Sequence, residues 1–343
     1  MNSLPEIPEP LFPGTGWPWE SVPSGPATLA LAPKHRISVV TPSFNQGRFL
    51  EQTIRSVLLQ GYPNLEYIVI DGGSKDESVE VLKHYSSCLQ YWVSEPDSGQ
   101  AAAINKGLKR TTGEIIAYIN SDDFYLPGAL GAVSFACEQV PEADLFHGRC
   151  RFIDESGNRI GEHFGSIRTF AEIVDLWGVW WEKRQLVQPE VFWTRRIMDR
   201  VGRLNENLHY AMDYDYWTRM LAVEAKIAPV DYPLATFRFH PNQKSSAANN
   251  AAQELLAVVK GHLWKATSKL SWAERFRLQN RWLYHSVFLK RVTESLARDE
   301  GTIARYITLL DILFTYPQIM LDRGFQSRIL SLFNYGDRMR RLL

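Results

Sequence analysis

Cysteine is scarce. Cys88, Cys137 and Cys150 are all that 343 residues contain, too few and too irregularly spaced for a disulfide framework or a zinc cluster, which fits a reduced, cytosolic setting. Long hydrophobic runs are missing too. The greasiest stretch, Ile303 to Leu321, is broken by Arg305, Asp311 and Pro317, whereas a spanning helix wants about 20 nearly unbroken apolar residues. Met1 to Pro10 carry no basic and then apolar run of the kind a secretory signal needs. Net charge is absent: 38 Lys+Arg balance 38 Asp+Glu, so no whole-protein grip on nucleic acid is expected. No Gly-x-x-x-x-Gly-Lys-Ser/Thr occurs, and Gly14-Thr15-Gly16 neither follows a strand nor completes a dinucleotide fingerprint. Phosphate binding, if present, must use a metal. The eight histidines are scattered and no His-Glu-x-x-His occurs, which disfavours a zinc hydrolase.

What is there is enough apolar residue, 45% of the chain, to bury one large or two modest cores. Residues 1–33 hold eight of the 18 prolines without period 2 or 3.6, so residues 1–35 read as an irregular arm, with Trp17 and Trp19 packing onto the body. From Ile37 the pattern alternates. Apolar runs at Ile37, Tyr67–Ile70, Tyr91–Val93 and Ile115–Ile119 are separated by helix-like spacings such as Leu50, Ile54, Val57 and Leu58. That alternation predicts an α/β fold with a mostly parallel, Rossmann-like sheet flanked by helices. The expected organisation is a nucleotide-binding half at 36–125, a looser second half at 126–246, and a helical, basic region at 247–343.

In such sheets ligands bind outside the carboxyl ends of the strands. The residues there are Thr41-Pro42, Asp71 and Asn120-Ser121-Asp122-Asp123. Carboxylates can accept hydrogen bonds from a base or ribose, and adjacent ones can hold a hard divalent cation that also touches diphosphate oxygens. Ser121-Asp122-Asp123 could equally be a helix cap, and Asp71-Gly72-Gly73 a turn.

Several blocks carry a resemblance. Ile37-Ser-Val-Val-Thr-Pro-Ser-Phe-Asn45, Ile68-Val-Ile-Asp-Gly-Gly-Ser-Lys-Asp76, Ser94-Glu-Pro-Asp-Ser-Gly-Gln100, Asn105-Lys-Gly107 and Thr112 through Asp123 resemble the bacterial family 2 glycosyltransferases. Gln188-Pro189, Met212-Asp-Tyr-Asp-Tyr-Trp217 and Arg238 to Ser245 resemble the acceptor half of the same family. The match is dense over 37–125, looser over 185–246, and says little about 1–35 or 247–343.

The resemblance implies a GT-A fold and inverting transfer of a sugar from a nucleoside-diphosphate donor; the helical pattern over 250–334 adds an α-helical C-terminal extension. It places Thr41, Pro42, Asn45, Asp71, Asn105, Lys106, Ser121 and Asp122 on the nucleotide sugar. It gives Asp122 and Asp123 the Mg²⁺ or Mn²⁺ ion, and makes Asp213 the general base. Asp213 could otherwise be only an acid in a helix's first turn. Two departures stand out: Asn120 and Ala102 occupy positions where the family often has Asp. His240, with Arg238 and Lys244 nearby, is a candidate phosphate or metal contact, or a satisfied loop histidine. Gln188 and Trp181 are acceptor candidates; Trp177, Trp180 and Trp181 could stack on a sugar or simply pack in the core.

The neutral total hides a division. Residues 260–343 carry a net +8 and residues 1–259 a net −8. Basic residues interleaved with Trp, Phe and Leu suit an anionic membrane surface, which would bring a cytoplasmic enzyme to a lipid-linked saccharide on the inner face; a solvated helical cap or an oligomer interface reads equally well. The expected partners are a UDP-, GDP- or dTDP-sugar and a saccharide acceptor, in surface polysaccharide synthesis, with no nucleic acid. Two rivals make different demands. A sugar nucleotidyltransferase needs a Gly-rich, basic loop after the first strand, which Thr41–Gly47 lacks. A non-catalytic nucleotide-sugar-binding scaffold would tolerate loss of Asp213.

Overall fold

Strand β1 (Ile37–Ser43) is buried along its whole length, as a central parallel strand covered on both faces must be. It opens the sequence β1, α1 (Gly47–Leu58), β2 (Leu65–Asp71), α2 (Ser78–His84), β3 (Tyr91–Ser94), α3 (Gln100–Leu108) and β4 (Ile115–Tyr118). The computed structural model describes residues 6–20, 34–241, 243–244, 248–265, 269–291, 310–313 and 315–321. β2 pairs parallel with both β1 and β3, and β4 pairs parallel with the other edge of β1. The order β3-β2-β1-β4 therefore reverses direction at β1. A reversal of this kind opens a crevice at the carboxyl ends of the two strands flanking it, here β1 and β4.

Beyond β4 come β5 (Phe124–Tyr125), α4 (Ala129–Gln139), β6 (Leu145–Ile153), β7 (Arg159–Phe164), α5 (Phe170–Ile173), β8 (Val191–Thr194), α6 (Arg195–Val201), α7 (Met212–Ala222) and β9 (Ile227–Arg238). The sheet continues β4-β8-β6-β9-β5, with β7 on β6. β8 runs antiparallel to β4 and β6, while β9 runs parallel to β6. This is the α/β architecture expected from the alternation over 36–125. The helix-cap reading of Ser121-Asp122-Asp123 is replaced: β5 follows them directly, and α4 starts only after Gly128, whose φ of 80° supplies its left-handed entry. Leu50, Ile54, Val57 and Leu58 of α1 pack with Val39, Val69 and Ile119 in the main core.

Two compact units result, Met1–Ile173 with Gly178–Ala251, and Val174–Trp177 with Ala252–Leu343. α8 (Ala248–Leu263) leads from the first into the second. In the second, α9 (Trp272–Leu283) begins at a Ser271/Glu274 capping box, the reciprocal arrangement that satisfies two orphan N–H groups. Arg281 clasps both carboxylate oxygens of Asp175 at 2.7 and 2.6 Å, and Gln279 and Trp282 tie α9 to the carbonyls of Leu263 and Leu256. The helices expected between 250 and 334 fall partly on residues 292–309 and 322–343, outside the described residues. Among the described residues no helix is long and apolar enough to cross a membrane.

The arm's described stretch, residues 6–20, is irregular. Trp17 packs on Phe124, Leu126 and Ile153.

Candidate active site

A cleft of about 580 Å³ opens at the carboxyl ends of β1 and β4, within the usual size of small-molecule sites. One wall holds Pro42, Ser43, Asn120, Ser121, Asp122 and Asp123; Gln188, Asp213, Arg238 and Lys244 also line it. Residues more than 170 positions apart thus share one cavity, because β4 ends at Tyr118 beside the 3₁₀ turn of Gln188, and α7 presents its first turn there.

The acidic pair is held from behind. Thr53 on α1 donates its hydroxyl to the carbonyls of Ser121 (3.0 Å) and Asp123 (2.6 Å). The Asp123 carboxylate, only 2% exposed, accepts the Arg238 backbone N–H at 2.9 Å. Burial and the adjacent Asp122 carboxylate push the Asp123 carboxyl well above the usual range, while Arg238 pulls the other way. Arg238 is itself buried; its guanidinium donates to the carbonyls of Asp122 and Glu155 and to the Gln52 side chain. It also lies 4.7 Å from the centre of the Phe49 ring. Asp122 keeps 19% of its side chain open, and its Oδ2 lies 3.0 Å from His240 Nε2 on a fully shielded imidazole.

Among the described residues no group of three or more His, Cys, Asp and Glu gathers as a metal cage. Mg²⁺ or Mn²⁺ shared with a substrate needs no such cage, since these ions are held by one or two carboxylates plus phosphate oxygens and waters. The donor set at Asp122, a carboxylate open to the cleft with an imidazole against it, is compatible with such an ion.

Asp213 sits in the first turn of α7, where its Oδ1 accepts the Tyr214 N–H at 2.7 Å. Loss of hydration raises its carboxyl from 3.8 to about 6; the hydrogen bonds from its own turn and the positive charge of Lys244 oppose the rise. Lys244 in turn donates to Gln100 Oε1 (3.0 Å), whose Nε2 donates to Asn120 Oδ1 (2.7 Å). Asn120, noted in the sequence for standing where the family often has Asp, is here the acceptor end of a chain from Lys244. Gln188 donates Nε2 to the Tyr118 carbonyl at 2.7 Å. Its Oε1, and the Ser43 hydroxyl, are buried in the cleft wall without a hydrogen-bond partner, which suits polar atoms awaiting a ligand.

Other sequence candidates stand behind the cleft. Thr41 pairs its hydroxyl with Tyr67 at 3.0 Å and is fully buried. Asp71 is also fully buried, and its two oxygens accept the N–H groups of Gly73 and Ser74 and the hydroxyls of Ser74 and Ser94. Asp71 thereby shapes the turn that sets Gly72 on the cleft. Asn45, at φ 51°, accepts the Lys75 N–H and donates its own N–H to Ser74. Asn105 brackets Leu204, donating to its carbonyl and accepting its N–H, and Lys106 pairs with Glu95. Trp180 packs edge-on against Tyr214 and Trp177 stacks on His285; Trp181 is 42% exposed and does not line the cleft. Sequence reasoning missed Ser43, Gln100 and Tyr118 as cleft residues. Gln100 had a signal, since it closes the Ser94–Gln100 block.

Known proteins resemble the chain in sequence and in fold. The model of glycosyl transferase family 2 matches residues 38–199. An uncharacterized glycosyltransferase of Rickettsia conorii is 26% identical over 244 residues, 68% of this chain, which spans 39% of that relative's length. One from Methanocaldococcus jannaschii is 25% identical over 260 residues, covering 74% of this chain and 86% of the relative. Among solved structures, Staphylococcus aureus TarS 1–349 in complex with UDP-GlcNAc superposes with a TM-score of 0.58 at 16% identity, covering 83% of this chain and 81% of that one. The mannosyltransferase PcManGT from Pyrobaculum calidifontis, in complex with GDP-Man and Mn²⁺, gives 0.56 at 16% identity over 90% and 86% of the two chains. The matched segment builds the strands and turns that carry Ser43, Asp122 and Gln188; over residues 38–199 the chain matches glycosyl transferase family 2, and its fold is the GT-A fold of the glycosyltransferases on which it superposes.

Proposed function

We propose that the chain is a metal-dependent, inverting glycosyltransferase moving a sugar from a nucleoside-diphosphate donor to a hydroxyl of a saccharide acceptor. The observation that carries this reading is the position of Asp213 in the same cleft as Asp122 and Asp123, with its carboxyl raised to about 6. At neutral pH such a carboxylate is ionised, yet more basic than an ordinary aspartate, which suits a general base. In a single displacement the acceptor oxygen bonds to the anomeric carbon as the bond to the diphosphate oxygen breaks. The acceptor's proton passes to Asp213 and the electron pair leaves with the diphosphate. Gln188 Oε1, buried in the cleft wall without a hydrogen-bond partner, would accept from a sugar hydroxyl and orient the acceptor; Ser43 would do the same on the donor side.

Mg²⁺ or Mn²⁺, when bound, supplies positive charge against the departing diphosphate. Asp122 would hold it, with the shielded His240 imidazole orienting that carboxylate instead of meeting the ion, and Asp123, pinned by Arg238, fixes the turn that presents Asp122. The complexes of TarS with UDP-GlcNAc and of PcManGT with GDP-Man and Mn²⁺ support a nucleotide-sugar donor and a divalent ion here. Surface polysaccharide synthesis, a lipid-linked acceptor and a cytoplasmic location with attachment of residues 260–343 to an anionic membrane complete the reading; of that stretch, 266–268, 292–309, 314 and 322–343 lie outside the described residues.

The test is a thermal-shift screen of UDP-, GDP- and dTDP-sugars with Mn²⁺, followed by turnover of the best donor by wild type and Asp213→Asn. Stabilisation by one donor family, with turnover lost in the variant, is expected. Undiminished turnover in Asp213→Asn would remove it from the base role, and binding without turnover in wild type would favour the scaffold. The anomeric configuration of the product, read by NMR, decides inversion.

A further inference from the structure

We propose that the N-terminal arm, which precedes the family segment 38–199, is a positioning element of the donor site. Its residues 8–18 and Trp17 hold α1 and the Ser121–Leu126 backbone so that Asp122 meets the cleft in one arrangement. The proposal rests on the reading above for what that site does.

The arm is clasped on one side of α1. The Leu11 and Phe12 N–H groups donate to the two carboxylate oxygens of Glu51 at 2.6 and 2.8 Å. One turn along, Arg55 donates to the carbonyls of Pro8 (2.9 Å) and Pro18 (3.2 Å), so both ends of the strap close on one guanidinium. Tyr85 joins the pair, accepting from Arg55 and donating to Glu51. Glu51 and Arg55 are 2% and 7% exposed. Two charged groups so buried need partners, and the arm supplies most of theirs.

The opposite side of α1 holds the acidic turn. At 100° per residue, positions 53 and 56 lie across the helix from 51 and 55, and Gln60 follows just past its end. Thr53 takes the carbonyls of Ser121 and Asp123, Ser56 Oγ accepts the Tyr125 N–H at 3.1 Å, and Gln60 donates to the Leu126 carbonyl at 3.0 Å. Trp17 then bypasses the helix: its indole N–H donates to the Tyr125 carbonyl at 2.8 Å and its ring packs on Phe124 and Leu126. The 121–126 segment is therefore gripped by α1 and by the arm, immediately beside the pair that faces the donor.

A simple cover for apolar surface would leave donor-site behaviour untouched when trimmed, and that is the contrast to measure. Hydrogen exchange is followed across the ligand-free protein in wild type, Trp17→Phe, Trp17→Ala and Glu51→Gln, together with the Mn²⁺ concentration giving half-maximal donor turnover. We expect exchange over 119–127 to rise about fivefold in Trp17→Ala, the factor that one ordinary hydrogen bond carries, with β2 unchanged. Trp17→Phe keeps the ring and should fall between. Half-saturation by Mn²⁺ should rise about fivefold while kcat stays within about twofold. Glu51→Gln preserves shape and should reproduce the effect if Trp17→Ala folds poorly. Unchanged exchange over 119–127, or a uniform rise across the sheet, overturns the proposal. Should wild type turn over no nucleotide sugar, the enzymatic reading fails, while the exchange data still decide whether the arm holds the turn.

Discussion

His240 Nε2 lies 3.0 Å from Asp122 Oδ2, across 118 positions of sequence, with the imidazole sealed from solvent and the carboxylate facing the cleft. The histidine comes from just beyond β9 and the aspartate from just beyond β4, so the contact depends on how those strands are ordered in the sheet. A shielded imidazole against a carboxylate orients it and restricts which of its oxygens can meet an ion.

From that pair follows a metal prediction. Chelation with EDTA should abolish donor turnover, and Mn²⁺ or Mg²⁺ should restore it. His240→Ala should weaken the metal requirement's affinity about ten- to hundredfold, the usual cost of losing an orienting partner, and Asp122→Asn should cost more. Turnover that survives exhaustive chelation would rule out a required ion.

As the proposed base, Asp213 should set the pH dependence. With its carboxyl raised to about 6, kcat/KM should fall as pH drops through about 6. Lys244 lowers that carboxyl, so Lys244→Met should move the acid limb upward, while Lys244→Arg should leave it near wild type. The stability sign is opposite to that of a salt-bridged carboxylate. The group's contribution is full below about 3.8 and is lost as pH rises through about 6. Asp213→Asn should therefore be more stable than wild type at pH 8, by about 1–2 kcal/mol after allowing for the side chain's partial exposure, and equal at about pH 3. Denaturant titrations at the two pH values check this; no gain at pH 8 would mean the carboxyl is not raised.

Gly107 tests the packing beneath the cleft. A Cβ there would lie 2.4 Å from Val40 Cγ1, where α3 crosses β1. Gly107→Ala should cost about 1–3 kcal/mol through overpacking despite alanine's better helix propensity, measured by urea unfolding. A stabilised variant would show that the α3–β1 contact has slack.

How much of this was legible in the sequence depended on the range of the signal. Ile37–Thr41, Tyr67–Ile70 and Ile115–Ile119 read as strands because burial on both faces leaves an unbroken apolar run, and Leu50, Ile54, Val57 and Leu58 read as a helix because one face repeats every 3.6 residues. The acids after β2 and β4 were likewise visible, since a parallel sheet places its strand ends on one rim. The local signal misled at Ser121-Asp122-Asp123, where a cap-like triplet leads into β5 instead of a helix. Asp71 shows another limit: its place on the rim was readable, but not that its oxygens would be consumed by its own turn.

The sequence by itself determined the α/β alternation, the irregular arm, the rim acids and the division of charge, because each is written in neighbours or in a short period. Tertiary structure alone decided that Asp213 shares a cleft with Asp122, that Lys244 reaches Asn120 through Gln100, and that Trp17 grips Tyr125. Those contacts join residues 91, 124 and 108 positions apart. No local propensity encodes them; they exist because burying both faces of one sheet fixes the strand order, and the strand order brings its loops to one edge.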